Sequence, residues 1–249
     1  MEIVFMGTAC AAAGRDRDNT SLLLRGGSSS TMIDIGGNPL GKLKKLGMGT
    51  GEVARLVLTH RHIDHIYGLP SLLWGMWLDG RAKPLDIYCD HGDRKWLEDW
   101  ICKLGMTDWP ASFETVIRTY AWEQPSVLIS DSDMVLSVFP GRHAVPTVGI
   151  KVEHHGRVAV YSSDTELNPA IKAMNHIDLL IHEATTARVP LASHSSLQEI
   201  IQYYDWTAIR RLALVHLTDS EPYDEVFAEV TPYIRSRMKL AQDLESELL

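Results

Sequence analysis

Short apolar runs broken by glycine, serine and proline recur along this chain at spacings too small for long helices. Residues 3–6, 21–25 and 32–35 are β-branched or aliphatic, and Gly26, Gly27 and the serines after them make a hairpin-like turn between the last two, which predicts an opening β-meander. Residues 38–46 have helical spacing, and 54–58 is a buried-type strand that runs straight into a histidine-rich turn. Beyond that turn, 66–78 is apolar on several sides and predicts a helix packed between layers. Residues 85–89 predict a strand and 94–104 a helix. Further strands are expected at 113–119, 126–129, 134–139, 148–153 and 157–162. Alternation then returns with a helix, a strand at 179–182, a helix at 195–204, a strand at 212–215 and one final long helix.

The strands thus fall into two sets, each attended by helices, which favours an α/β four-layer αββα sandwich over a doubly wound sheet. No Gly-rich phosphate loop follows any strand, and Gly7-Thr8 is only a turn. At 249 residues, with no repeat and no linker-like tract, one domain spanning 1–249 is expected. A hydrophobic content of 45% with 22% charged residues is ordinary for a globular protein and does not indicate disorder.

The formal charge of -8 works against loose attraction to nucleic acid or an anionic membrane, so a phosphate-bearing substrate needs a local positive source such as bound metal. Much of the negative excess lies between Asp219 and Glu247, read as a solvated helix face. Cys10, Cys89 and Cys102 are odd in number and lack CxxC spacing, which suits a reducing cytoplasm. The acidic start and the lack of a long apolar run give no expectation of export or membrane anchoring.

Candidate chemistry concentrates in Thr59-His60-Arg61-His62-Ile63-Asp64-His65. His60 and His62, two apart in an extended turn, can converge on one ion, while Asp64 and His65 at the start of the next helix can face a second. Nitrogen and oxygen donors of this kind suit Zn²⁺, with Mn²⁺ or Fe²⁺ as lesser alternatives. Of the remaining histidines, His154 and His155 are expected at a solvent-facing hairpin tip, and His182 in core. Trp74, Trp77, Trp96, Trp100 and Trp109 are expected to pack on amphipathic helices, with base stacking as the minor alternative.

The HxHxDH turn at a strand end resembles the metal loop of the metallo-β-lactamase fold hydrolases, and the resemblance continues in order along nearly the whole chain. His143, Asp164 (in Tyr161-Ser162-Ser163-Asp164-Thr165) and His216 each follow a predicted strand. The resemblance implies that His60, His62 and His143 hold one metal, that Asp64, His65 and His216 hold the other, and that Asp164 bridges them. The text Pro140-Gly141-Arg142-His143-Ala144-Val145-Pro146 is similar to the ribonuclease Z branch and its smaller phosphodiesterase relatives. Ile181-His182-Glu183-Ala184-Thr185 and Ser193-His194-Ser195-Ser196 resemble two further segments of that branch.

The chain departs from the branch in four ways, one being that Cys10 falls in the glycine-rich opening segment. The arm that grips tRNA is missing between His143 and Asp164. Serine stands where glycine often precedes the aspartate. The cysteines of an N-terminal zinc knuckle are missing.

The resemblance implies a two-metal phosphodiesterase that uses a metal-bridging hydroxide on a small or cyclic nucleotide-like phosphodiester or an RNA 3′ end. Asp64 would orient the hydroxide or take up its proton. His194 would contact the phosphoryl oxygen or protonate the leaving group, oriented by a carboxylate such as Glu183. A lactonase, β-lactam or thiolester hydrolase on the same dinuclear site is the second reading, and a noncatalytic metal-binding module the third. A homodimer is a possible assembly.

Overall fold

The computed structural model describes residues 1–249 apart from 28, 106–108 and 110–112. The opening runs form β1 (Glu2–Gly7), β2 (Ser21–Gly26) and β3 (Ser29–Ile33), paired antiparallel in that order. Of the expected hairpin turn, Ser28 lies outside the described residues. β4 (Val53–Val57), β5 (Leu85–Asp90) and β6 (Thr115–Tyr120) then add in parallel. The second sheet begins as an antiparallel set: β7 (Ser126–Ser130), β8 (Val135–Pro140), β9 (Val148–His154) and β10 (Arg157–Tyr161). It continues in parallel through β11 (Leu179–Glu183), β12 (Leu212–Val215) and β13 (Met238–Leu240). Finally β14 (Ser246–Leu248) crosses back to pair with β1 on the first sheet.

Strand periodicity explains why these sheets stack. Ile3, Phe5, Leu22, Leu24 and Ile33 point from the first sheet toward Leu136, Val138, Ile150, Ala159, Ile181 and Val215 of the second, forming one central core. The alternate residues Val4, Met6, Leu23 and Met32 face the other way. They pack on α1 (Pro39–Lys45), α3 (Leu69–Leu78) and α4 (Arg94–Lys103) through Leu43, Leu69, Leu72, Leu73, Met76, Leu97 and Ile101. On the far side Val160, Leu180, Leu212 and Leu214 pack on α5 (Pro169–Lys172), α6 (Leu197–Tyr203) and α7 (Tyr223–Glu229). Both sheets are thus apolar on two faces, and the four layers αββα follow.

Four expectations need correction. The helix expected over 66–78 is two pieces, α2 (Ile63–Ile66) and α3, broken at Gly68. There the backbone passes so close to the end of β3 that a Cβ on Gly68 would stand 2.5 Å from the carbonyl oxygen of Ile35, while the Gly68 amide donates to that same oxygen at 2.8 Å. The final long helix is instead α7, a short α8 (Pro232–Arg235) and two strands; Pro232 cannot continue α7, and the chain turns to cover both sheets. Its acids do not all form a solvated helix face: Asp224, Glu225 and Glu229 are exposed on α7, but Glu247 pairs with Arg211 and Lys239, and Glu221 accepts from the Ala187 amide at 2.6 Å. His154, expected at a solvent-facing tip, is largely buried, with Nδ1 donating to the Asp133 carbonyl at 2.7 Å.

Asp243 ties the ends of the fold together. It accepts from Thr8 Oγ1 at 2.8 Å and the Asp18 amide at 2.9 Å, and Lys42 Nζ of α1 lies 2.9 Å from Asp243 and 3.1 Å from Asp18. Burial works to raise the Asp18 pKa, but the Asn38 amide and the Lys42 charge outweigh it and hold the carboxyl below its ordinary 3.8. A depressed carboxyl contributes stability that is complete above its unfolded value and lost as the pH falls through its folded one. The stability difference between wild type and Asp18→Asn, followed by urea denaturation, is therefore expected to be constant above about pH 5 and to shrink below about pH 4. A difference independent of pH would show that the carboxylate charge contributes nothing.

Candidate metal centre

Parallel strands end at a common edge, and that edge is where the candidate ligands gather. The turn after β4 carries His60 and His62, and α2 starts immediately, with His62 as its cap in extended conformation and Asp64 and His65 within its single turn. His143 belongs to the β8–β9 loop, Asp164 follows β10, Glu183 ends β11 and His216 follows β12. Between His143 and Asp164 the chain is only the β9–β10 hairpin.

The side chains converge in two groups. His60, His62, His143 and Asp164 bring one ligand atom each within 4.8 Å of one another, as do Asp64, His65, Asp164 and His216, and Asp164 is common to both. In the first group His62 Nδ1 lies 3.1 Å from His60 Nε2 and 3.0 Å from His143 Nε2. In the second, Asp164 lies 3.3 Å from His65 Nε2 and 3.2 Å from His216 Nε2, and Asp64 lies 3.4 and 3.5 Å from the same two nitrogens. Donor atoms ~2.1 Å from a tetrahedral ion stand roughly 3.4 Å apart, which these spacings match. His65 Nε2, His216 Nε2 and Asp164 Oδ1 are buried without a hydrogen-bond partner, a costly arrangement that a cation in their midst would relieve.

The opposite ring nitrogens of His60, His65, His143 and His216 are held. His65 Nδ1 donates to Asp34 Oδ2 at 2.8 Å, and His143 Nδ1 to the Ser193 carbonyl at 2.7 Å. Thr59 Oγ1 gives its proton to Asp34, so it accepts from His60 Nδ1 at 3.0 Å; Thr185 Oγ1 gives its proton to Glu183 at 2.7 Å, so it accepts from His216 Nδ1 at 2.8 Å. Each bond orients its ring so that Nε2 faces the centre. Asp34 is the residue that sequence reasoning missed. It is fully buried, accepts from the Thr59 amide and hydroxyl as well as His65, and the available signal was an acid directly ending an apolar strand, in Met32-Ile33-Asp34-Ile35.

The electrostatics fit a site for cations. Burial and the neighbouring His65 push His60 well below its ordinary pKa, so it stays neutral. Burial opposes ionisation of Asp64 and Asp164, yet His216 and His65 hold both carboxyls well below the usual range. The backbone is also strained here: Asp34, Ser163, Ser193 and His216 adopt φ of 58°, 54°, 68° and 56°. Ser163 is the serine standing where glycine is common in the resembled branch; its left-handed backbone explains that preference. Its Oγ donates to Thr59 Oγ1 at 2.8 Å in return.

On the rim, His194 Nδ1 lies 2.9 Å from Glu183 Oε1, and its ring stacks on that of His216 at 5.3 Å. The helix cap after it is Ser196, in a capping box with Glu199, so His194 is free of capping duty. Trp77, Trp96, Trp100 and Trp109 pack on the helical layer over the first sheet, and Trp74, 42% exposed, contacts Trp77 and Trp109. His182 is buried against the Tyr204 hydroxyl, as a core residue should be.

Two seven-stranded sheets between helical layers, with histidines and carboxylates gathered at the strand ends, define a metallo-β-lactamase-fold, metal-dependent hydrolase. A solved metallo-β-lactamase fold protein, YhfI of Bacillus subtilis, superposes with a TM-score of 0.82 at 18% identity, covering 99% of this chain and 98% of that one. The short form of human tRNase Z superposes at 0.81 with 23% identity, covering 100% and 99%. A ribonuclease Z of Methanothermobacter thermautotrophicus is 26% identical over 98% of this chain and 95% of its own length. More narrowly, the chain belongs to the family of anti-Pycsar protein Apyc1, whose model matches residues 1–237.

Replacing Asp34 by Ala frees the His65 ring and strands the Thr59 hydroxyl. Loss of such an outer partner is expected to weaken Zn²⁺ binding about 10–100-fold in a competition titration against a chromogenic chelator. Unchanged affinity would remove Asp34 from the site. Stripping metal from the wild type should lower its melting temperature, with recovery on adding Zn²⁺ back.

Proposed function

We propose that this chain is a metal-dependent phosphodiesterase acting on a small or cyclic nucleotide-like phosphodiester or an RNA 3′ end, as one domain over 1–249. The observation that carries the reading is the pair of ligand groups sharing Asp164, with the His194–Glu183 pair beside them. His60, His62 and His143 would hold one ion and Asp64, His65 and His216 the other, and the nitrogen-rich sets favour Zn²⁺. Two such ions would acidify a water and neutralise the charge that builds on the phosphoryl group.

The chain's own residues divide the remaining work. Asp64, held ionised by His65 and His216, serves as an acceptor that orients the attacking nucleophile. Burial disfavours a charged His194, but the hydrogen bond and charge of Glu183, with Asp164 and Asp64 behind it, raise its pKa above the ordinary 6.5. With Nδ1 committed to Glu183, Nε2 is the nitrogen left to protonate the leaving alkoxide.

The ribonuclease Z relative supports phosphodiester chemistry, as does the text around His143. The net charge of -8 and the short β9–β10 hairpin favour a small substrate over a folded RNA. Exposed Ile63, Tyr67, Trp74 and Leu78 along 63–78 support pairing with a second copy. Among the described residues no helix is long and apolar enough to cross a membrane.

Metal-loaded wild type should hydrolyse bis(p-nitrophenyl) phosphate, and Asp64→Ala should lose about 100-fold or more in kcat. Activity on a lactone or thiolester with none on phosphodiesters would overturn the assignment. A general acid works while protonated, so kcat on an alkyl-leaving substrate should fall as pH rises through the His194 pKa. In Glu183→Gln, where the partner charge is gone, that fall should move to lower pH. A pH profile unmoved by the substitution would exclude His194 as the acid.

A further inference from the structure

We infer that the cleft beside His194, lined by Arg142, Glu166, Leu191, Glu199 and Tyr203, holds the nucleoside of the substrate; this rests on the phosphodiesterase reading above. The cleft encloses about 390 Å³, within the ~300–1,000 Å³ usual for small-molecule sites and too small for a helical nucleic acid. It opens onto the candidate centre through His194 itself, and Arg142 and Glu166 flank His143 and Asp164 along the chain, so a phosphate at the centre would point its sugar and base this way.

The lining is suited to a planar, partly polar ring. Leu191 is 48% exposed on the rim although apolar, and Tyr203 forms part of the wall. Arg142 and Glu166 are only loosely paired, at 3.4 Å, with side chains 56% and 45% exposed. Arg142 offers donors to base carbonyls and ring nitrogens, and Glu166 accepts from amino or imino N–H groups, which together read a base edge. Glu199 adds a second carboxylate, so the cleft favours a neutral base and sugar over a further phosphate.

The test uses the metal-loaded full chain and two variants altered at exposed side chains, Arg142→Ala and Leu191→Asp, with melting temperature and metal content as folding controls. For each, kcat/KM is measured on adenosine and cytidine 3′,5′-cyclic monophosphates and on bis(p-nitrophenyl) phosphate, which has no nucleoside. Binding of the nucleoside 5′-monophosphates is followed by calorimetry. The ratio of cyclic-nucleotide to bis(p-nitrophenyl) phosphate kcat/KM should fall about tenfold in each variant, through KM rather than kcat, as expected for lost uniform binding. An unchanged ratio in both variants overturns the cleft assignment and leaves the phosphodiesterase reading standing. Should the wild type cleave no phosphodiester, that reading falls instead, and the calorimetry decides: weaker monophosphate binding in both variants supports the cleft, and equal binding overturns it.

Discussion

Asp64 and Asp164 are buried carboxylates placed among five imidazoles, and nearly everything else in the structure serves to hold that arrangement. A buried carboxylate is expensive unless paired, and a buried imidazole with an unpartnered nitrogen is little better. The protein meets both demands from outside the cluster. Asp34 and Thr59 hold His65 and His60, Glu183 and Thr185 hold His216, and a backbone carbonyl holds His143. What remains unpaired points inward, toward the space between the two ligand groups.

This demand accounts for the way the strands end. The loops must turn abruptly to aim side chains into one small volume, and four non-glycine residues in left-handed conformation lie at those turns. Such strain persists only where the surroundings over-determine it. Three packed cores and the crossing of β14 back to β1 supply a rigid frame, while Gly68 lets α2 lie against the end of β3 and deliver Asp64 and His65. Ser163 shows the compromise locally: a side chain costs strain where glycine would not, and its hydroxyl joins the network through Thr59.

A second level of organisation separates the rigid centre from its surroundings. The ligands belong to strand ends and a short helix, whereas Arg142, Glu166 and Leu191 belong to exposed connections. Connections of this kind can vary without disturbing the core. The same centre can therefore serve different substrates on one scaffold, with the rim deciding which molecule is presented to it.

The HxHxDH turn could be read directly because its ligands are neighbours in the chain, and the strands around it were legible because a residue buried on one face leaves a period of two. The two sets of strands carried the expectation of a sandwich, and the order of His143, Asp164 and His216 along the chain, together with the words around them, carried that of a shared aspartate. Sequence could not reveal Asp34, whose part depends on contacts with Thr59 and His65 more than 20 residues away. Nor could it reveal that the acidic C-terminal stretch folds back as strands, since Glu247 and Asp243 read as a solvated face until Arg211, Lys239 and Lys42 are brought beside them. Local pattern determines elements and adjacent ligands; which distant charges become partners is decided only when the two sheets close on each other, because pairing energy depends on distance in space and burial, neither of which is written along the chain.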